Sequence, residues 1–394
     1  MGKSVLERMK ENDSERKIEE FRALQKMDYA FKRDHAEETA WKFFEHPEIS
    51  GKAYVAVGGL DSITLLVFLR SIGIDVPAIS VSSLEDKSIQ RVHRALGVKS
   101  LPPAKRENGK YWSKMEVIRQ FGFPIISKET AGKIALLQHP SPDNATVRHA
   151  IITGETGEYG GFRTGTRMQL AKRWLELFGG PENENEGTDY QTAPFLVSDK
   201  CCYYLKEKPC NDYAKESGRF PYMGLMASEG GRRQKALMLN GCNYISPGTK
   251  RSAPFATFYR QDILTLALEM DAYYQDHWTD FAPDGAEKLD SIVPAIYGEI
   301  EEGADGLLRT TKAQRTGCSM CGFGVHMEKR PHRFDLLRES NPKEWELWMK
   351  HIYQDENGKW WGFGDVLDYI GVGWNDDPYG NLEGQIGFGE LGYE

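Results

Sequence analysis

Four of the six cysteines in this chain stand in two tight pairs, Cys201–Cys202 and, far downstream, Cys318-Ser-Met-Cys321. Thiolates are the ligands that suit zinc and iron–sulfur centres, and four of them can surround one metal position. Three readings stay open on residue type alone: an iron–sulfur cluster, a structural zinc site with the same four ligands, or no metal at all. Adjacent cysteines fit the second less well, because zinc knuckles draw on Cys-x-x-Cys pairs. Cys210 and Cys242 stand apart and read as small buried side chains.

A second group is Val57-Gly58-Gly59-Leu60-Asp61-Ser62. It lies between an apolar run, Tyr54–Val57, and a helical apolar pattern, Ile63–Leu69. At such a junction backbone N–H groups and the positive end of a helix can hold phosphate oxygens, and glycine lets the backbone approach the anion. Ser62 can cap the helix, donate to a phosphate, or both. Asp61 beside a bare anion calls for Mg²⁺ or a role in shaping the loop. The spacing is not that of a Walker A loop. A tight turn with a capping serine is the plain alternative.

The elements that must position these groups follow from periodicity. Glu15–Phe44 reads as a helical arm, with Ile18, Phe21, Leu24, Met27 and Phe31 forming a stripe that packs on the domain behind it, with a dimer contact as the alternative. From Ala53 the pattern becomes strand, loop, helix, strand (Ala78–Val81), helix (Ile89–Leu96, stopped by Gly97), which is the alternation of a parallel α/β sheet. Phe123–Ile126 and Tyr222–Ala227 are further strand candidates, and Asp262–Tyr274 is a helix. Gly179–Thr188 has loop composition. The division expected is a helical arm over 1–50, a nucleotide and cluster domain over 51–330, and a Trp- and Gly-rich extension over 331–394. Trp345, Trp348, Trp360, Trp361 and Trp374 read first as packing of that extension, with base stacking as the alternative.

Composition narrows the classes. At 394 residues, with 40% hydrophobic and 27% charged residues, the chain has ordinary globular make-up. No apolar run spans a bilayer, Met1–Glu20 lacks a signal-peptide core, and the sparse, paired cysteines favour a reducing cytoplasm. A net charge of −8 argues against broad nucleic-acid binding. It leaves open local basic groups at Arg163, Arg167, Lys172 and Arg173, or at Arg309, Lys312 and Arg315, which otherwise read as solvated faces.

Two motifs resemble known families. Gly58-Gly-Leu-Asp-Ser62 resembles the pyrophosphate loop, SGGxDS, of the PP-loop ATP pyrophosphatases and adenine nucleotide alpha-hydrolase-like proteins, with Val57 in place of the first serine. A Cys-Cys pair, a long gap and Cys-x-x-Cys resembles the 4Fe–4S ligand pattern of adenylyl-sulfate reductases. Gly224-Leu-Met-Ala-Ser-Glu229 with Arg233 is similar to the segment between the pairs that handles the anionic substrate. The chain is thereby identified as resembling the phosphoadenosine phosphosulfate reductase family in its broad sense, over roughly residues 50–340.

The resemblance implies a Rossmann-like fold, an adenine nucleotide held by Val57, Gly58, Gly59, Leu60, Asp61, Ser62, Glu229 and Arg233, and a 4Fe–4S cluster on Cys201, Cys202, Cys318 and Cys321. It implies catalytic roles for Asp61, Ser62 and Arg233 with Mg²⁺, and a sulfur-donor protein or thiol reductant as partner. A homo-oligomer is compatible with it. No cysteine follows Cys321, so the family's covalent route through a C-terminal thiol is not expected.

ATP-dependent sulfur transfer with α–β phosphate cleavage is the leading expectation, as in relatives acting on tRNA or DNA. Sulfonucleotide reduction with an external thiol and a non-catalytic nucleotide-binding sensor are the alternatives. Lys200, Lys206 and Arg315 would offset a cluster's charge. His326 reads as a donor to a cluster sulfide or as a core or capping histidine. Glu85 and Asp86 read as a solvated acidic turn, or else as ligands of Mg²⁺ or ribose.

Overall fold

A computed structural model describes residues 5–81, 85–180, 190–281, 285–312, 318 and 320–376. Residues 181–188 of the expected exposed loop, Arg315 and the glycine-rich tail lie outside them. The chain forms two compact units, Met1–Pro103 with Lys206–Ser319, and Ala104–Leu205 with Met320–Glu394. This division cuts across the boundaries expected at 50 and 330. The arm belongs with the sheet of the first unit, and residues 104–205 are an insertion that builds the second unit with the C-terminal stretch.

The first unit is α/β. Its strands are β1 (Ala53–Ala56), β2 (Ala78–Ser80), β3 (Lys99–Ser100), β4 (Phe220–Tyr222), β5 (Asn243–Ser246) and β6 (Thr249–Ser252), in the order β3-β2-β1-β4-β6-β5. All neighbours are parallel except the β5–β6 hairpin. Ala53, Tyr54 and Val55 of β1 are all buried, the run without alternation that a strand covered on both faces requires. The expected strand at Tyr222–Ala227 is β4, shifted to Phe220–Tyr222; β3 was not expected, and two exposed polar residues give no apolar signal for it.

Helices cover the sheet. α1 (Val5–Gln25) and α2 (Tyr29–Phe44) form the arm, broken where Asp28 caps α2 by accepting from the Phe31 N–H at 2.8 Å. Phe21 and Ile18 pack with Leu237 and Met238, whereas Met27 and Phe31 of the expected stripe are exposed. The cap turns the chain between α1 and α2, so a single helical stripe cannot continue through both. α3 (Leu60–Ser71) buries eight residues, among them Leu65, Leu66 and Phe68, against β1 and the long helix Arg260–Phe281. α4 (Lys87–Ala95) follows β2, and Gly97 at φ 66° ends it as expected. Tyr222 of β4 donates from its hydroxyl to the Ala40 carbonyl at 2.7 Å and packs edge-on to Phe43, tying α2 to the sheet. No helix among the described residues is long and apolar enough to cross a membrane.

The second unit has its own core, centred on Phe123, Phe195, Phe363, Val366 and Trp361. The strand expected at Phe123–Ile126 is confined to Ile125–Ile126 and pairs in parallel with Gly322–Phe323, outside the six-stranded sheet. Trp345, Trp361 and Trp374 are buried in this core, and Trp360 is exposed. The tryptophan group is therefore mostly packing. Arg173 donates to the Ile370 carbonyl at 2.7 Å and lies over the Trp174 ring, while Arg163, Arg167 and Lys172 are exposed. His326 stands edge-on to Trp174 at 5.6 Å, and burial beside Arg173 lowers its pKa.

Candidate functional site

The strand order reverses at β1: β2 and β3 lie on one side of it, β4 and the hairpin on the other. In open parallel sheets the loops leaving the carboxyl ends of two such strands diverge and leave a crevice, and ligands bind there. Here the loop after β1 carries Gly58–Ser62 and the loop after β4 carries Gly224. Both line a cavity of about 750 Å³ within the first unit, together with Glu229, Tyr259, Arg260 and Tyr297.

The loop is held from several directions. Gly59 is the N-cap of α3 and offers no side chain to cap it. Ser62, one turn in, accepts from the Gly58 N–H at 2.7 Å and donates to the Gly59 carbonyl at 3.0 Å. The Leu60 N–H, first of the helix, donates to the Tyr297 hydroxyl at 2.8 Å. On the far side of the loop the buried His93 of α4 meets the Gly58 carbonyl at 2.8 Å through Nε2. Burial lowers its pKa, outweighing that hydrogen bond and the nearby Glu85. A neutral ring donating its Nε2–H to the carbonyl satisfies the pairing.

Gly224 meets the loop so closely that a Cβ there would stand 2.8 Å from the Asp61 carbonyl carbon and 2.9 Å from the Ser62 nitrogen. Its absence of a side chain is what lets the two loops touch.

The charges in the cavity are matched. Arg260 lies 3.6 Å from Asp61, and Glu229 pairs with Arg233 at 2.9 Å. Glu229 lines the cavity; Arg233, 60% exposed at its side chain, is not among its lining residues. Val57 is buried and carries no hydroxyl toward the loop. The arrangement offers an anion the start of α3 and the Arg260 guanidinium, and it offers hydroxyls or ring nitrogens the polar groups of Glu229 and Ser228.

Glu85 is buried and ion-paired with Lys206, so it does not belong to a solvated turn. Asp86 is exposed and caps α4 through the Ser88 N–H at 2.8 Å. Burial by itself would lower the Lys206 pKa, but Cys318 and the Glu85 carboxylate beside it outweigh burial and hold it above its ordinary value.

None of the six cysteines is joined in a disulfide. Cys201 and Cys202 sit on a short helical turn, Lys200–Cys202, continued by a π-helical turn Tyr203–Glu207. Cys201, Cys202 and Cys321 belong to the second unit and Cys318 to the first. Among the described residues no group of three or more His, Cys, Asp or Glu is placed to hold a metal ion. Cys201, Cys202, Cys318 and Cys321 suit a cluster by residue type and by their pairing in the sequence. Asp61 and Glu229 likewise lack a third acidic partner, so a divalent ion would have to enter on the ligand's own phosphates. Burial pushes the thiols of Cys210 and Cys242 up to about 11 and about 12, which keeps both protonated, although each is half-buried and not fully buried as expected.

Sequence reasoning missed His93, Tyr297 and Arg260. Arg260 had one usable signal, its place at the head of a helix after an aromatic residue. His93 and Tyr297 had none, since their roles depend on which carbonyl or N–H the fold brings to them. The chain matches no protein-family model and no curated protein.

Proposed function

We propose that the chain is an enzyme that binds ATP, or a related adenylate, in the cavity at the end of β1. It cleaves between the α and β phosphates to activate an acceptor for sulfur transfer, as a member of the phosphoadenosine phosphosulfate reductase family in its broad sense. The observation that supports this reading is the placement of Gly58–Ser62 at the switch point of the sheet, at the start of a buried helix and beside Arg260. Phosphate oxygens would lie against the start of α3, with Arg260 exchanging part of its pairing with Asp61 for the incoming charge. Ser62 and His93 hold the loop in shape.

The test is equilibrium binding of ATP to the full chain, with pyrophosphate release measured in the presence of candidate acceptors. Arg260→Ala is expected to weaken ATP binding about tenfold, the scale of one charge-assisted contact. No ATP binding at millimolar concentration would sink the reading. A second reading, nucleotide binding without turnover, is favoured by two observations: Val57 has no hydroxyl, and the Tyr297 hydroxyl already takes the first N–H of α3. Tight ATP binding with no pyrophosphate release under any acceptor would select it.

The 4Fe–4S cluster is a separate part of the proposal, resting on the types and spacing of Cys201, Cys202, Cys318 and Cys321 alone. Anaerobically purified protein is then expected to carry about four irons and four sulfides per chain. Stoichiometric zinc, or protein free of metal, would remove the cluster and leave the nucleotide site standing.

A further inference from the structure

Lys32 of α2 is a lysine turned into the protein. Its side chain is 5% exposed, whereas lysines keep their ammonium in water unless it is paired. Its partner is Asp262, in the first turn of the long helix Arg260–Phe281 and 11% exposed at its own side chain. Both residues belong to the first unit. A buried ion pair is weak evidence for stability by itself, because apolar residues of similar volume often hold a fold as well. What the pair does to its surroundings is the informative part.

The Asp262 carboxylate reaches back along the chain. The oxygen that meets Lys32, Oδ2, also accepts from the Tyr259 N–H at 2.7 Å. A first-turn side chain that takes the N–H of the residue before the helix fixes how the chain enters that helix. The Lys32 ammonium also lies 5.0 Å from the centre of the Tyr259 ring, within cation–π range. Tyr259 and Arg260, the residues so held, line the cavity, and Arg260 stands 3.6 Å from Asp61 of the loop. Lys32 and Asp262 are not among the lining residues. The next residue, Gln261, is fastened through both polar atoms of its amide to the Leu308 backbone, at 2.7 and 3.0 Å. We propose that Lys32 and Asp262 are positioning residues of the nucleotide site. Asp262 holds the Tyr259 N–H, Lys32 neutralises that carboxylate inside the protein, and together they set the entry of the helix so that Arg260 faces the loop after β1. This rests on the reading of the cavity as an ATP site, and it gives the helical arm a part in binding.

The test uses the full chain and reads ATP affinity by calorimetry, amide exchange resolved at Tyr259, and thermal unfolding. Lys32→Met/Asp262→Leu exchanges the ion pair for apolar side chains of similar volume and leaves no charge buried alone. It is expected to fold, to speed exchange at Tyr259 about tenfold, and to weaken ATP binding by up to the roughly tenfold loss expected of Arg260→Ala. In an Arg260→Ala background the same two changes are expected to weaken binding less than about twofold further, because the guanidinium they position is already gone. Lys32→Met/Asp262→Asn keeps an acceptor for the Tyr259 N–H without the charge, and it is expected to return exchange and affinity to within about threefold of the wild type.

Three results would overturn the proposal. The apolar pair leaves Tyr259 exchange and ATP affinity unchanged, or its loss adds in full to that of Arg260→Ala, or the asparagine variant does no better than the apolar one. Should a variant not fold, the wild-type chain still decides, since a Tyr259 amide that exchanges as freely as those of exposed loops would show that nothing pins it. If the wild type binds no ATP while Tyr259 exchange responds as expected, the pinning of the helix entry stands and the reading of the cavity falls.

Discussion

Gly224→Val is expected to reduce ATP affinity by up to about a hundredfold while the chain still folds. A Cβ at position 224 would lie 2.8 Å from the carbonyl carbon of Asp61, 2.9 Å from its oxygen and 2.9 Å from the Ser62 nitrogen. These are backbone atoms, and no rotamer change can move them aside. The loop after β1 has to shift, or the loop after β4 has to withdraw, and forced shifts of this kind typically cost about 1–3 kcal/mol. The shift falls on the peptide that joins the second and third residues of α3, where the phosphates are proposed to sit. Gly58→Ala makes the comparison sharp, because its Cβ meets only the Ser62 Oγ at an ordinary 3.8 Å. Thermal unfolding should therefore be lowered by the first substitution and nearly unchanged by the second. Unaltered ATP affinity in Gly224→Val would show that nucleotide does not bind against this loop.

The second large effect concerns His93. His93→Leu deletes the donor to the half-buried Gly58 carbonyl, and stranding such a group costs up to about 1–3 kcal/mol. The wild-type residue also makes stability depend on pH in a definite direction. Burial holds the folded-state pKa of His93 below its ordinary value of 6.5. As pH falls below 6.5, the unfolded chain takes up a proton that the folded chain resists, and the folded state loses stability until its own pKa is passed. Above pH 6.5 the residue is neutral in both states and adds no slope. His93→Gln keeps an N–H and removes the titration. Urea unfolding at pH 7.5 and pH 5.5 should show a smaller loss on acidification in His93→Gln than in the wild type. Equal losses would mean that His93 is not the group responsible.

Much of the first unit was legible because its cues are local. β1 and α3 were readable from an apolar run that ends in two glycines and resumes at helical spacing, and Gly97 marked the end of α4. The position of Gly58–Ser62 between strand and helix followed from the same pattern. The break at Asp28 was missed, since the apolar stripe runs through it and only the cap reveals the turn. β3 was missed because two exposed polar residues at a sheet edge look like loop. Phe123–Ile126 had the composition of a strand, yet composition does not say which strand it joins, and its partner is Gly322–Phe323.

Among the site residues, glycines, capping serine and charged groups announce themselves by type. Glu85 shows the limit of that: its sequence surroundings suggest solvent, and its burial depends on Lys206, distant in the chain. Short-range physics, the period of apolar residues and the conformational freedom of two glycines, was thus set by the sequence alone. It was enough to determine an α/β unit with a glycine loop between its first strand and the helix that follows. Only the tertiary structure decided that β1 lies where the strand order reverses, and that Gly224 closes on the loop. The same holds for His93, Tyr297 and Arg260, which surround it from three separate segments. Those facts depend on contacts between residues far apart in the chain, and the free energy of such a contact is not carried by either residue's neighbours in sequence.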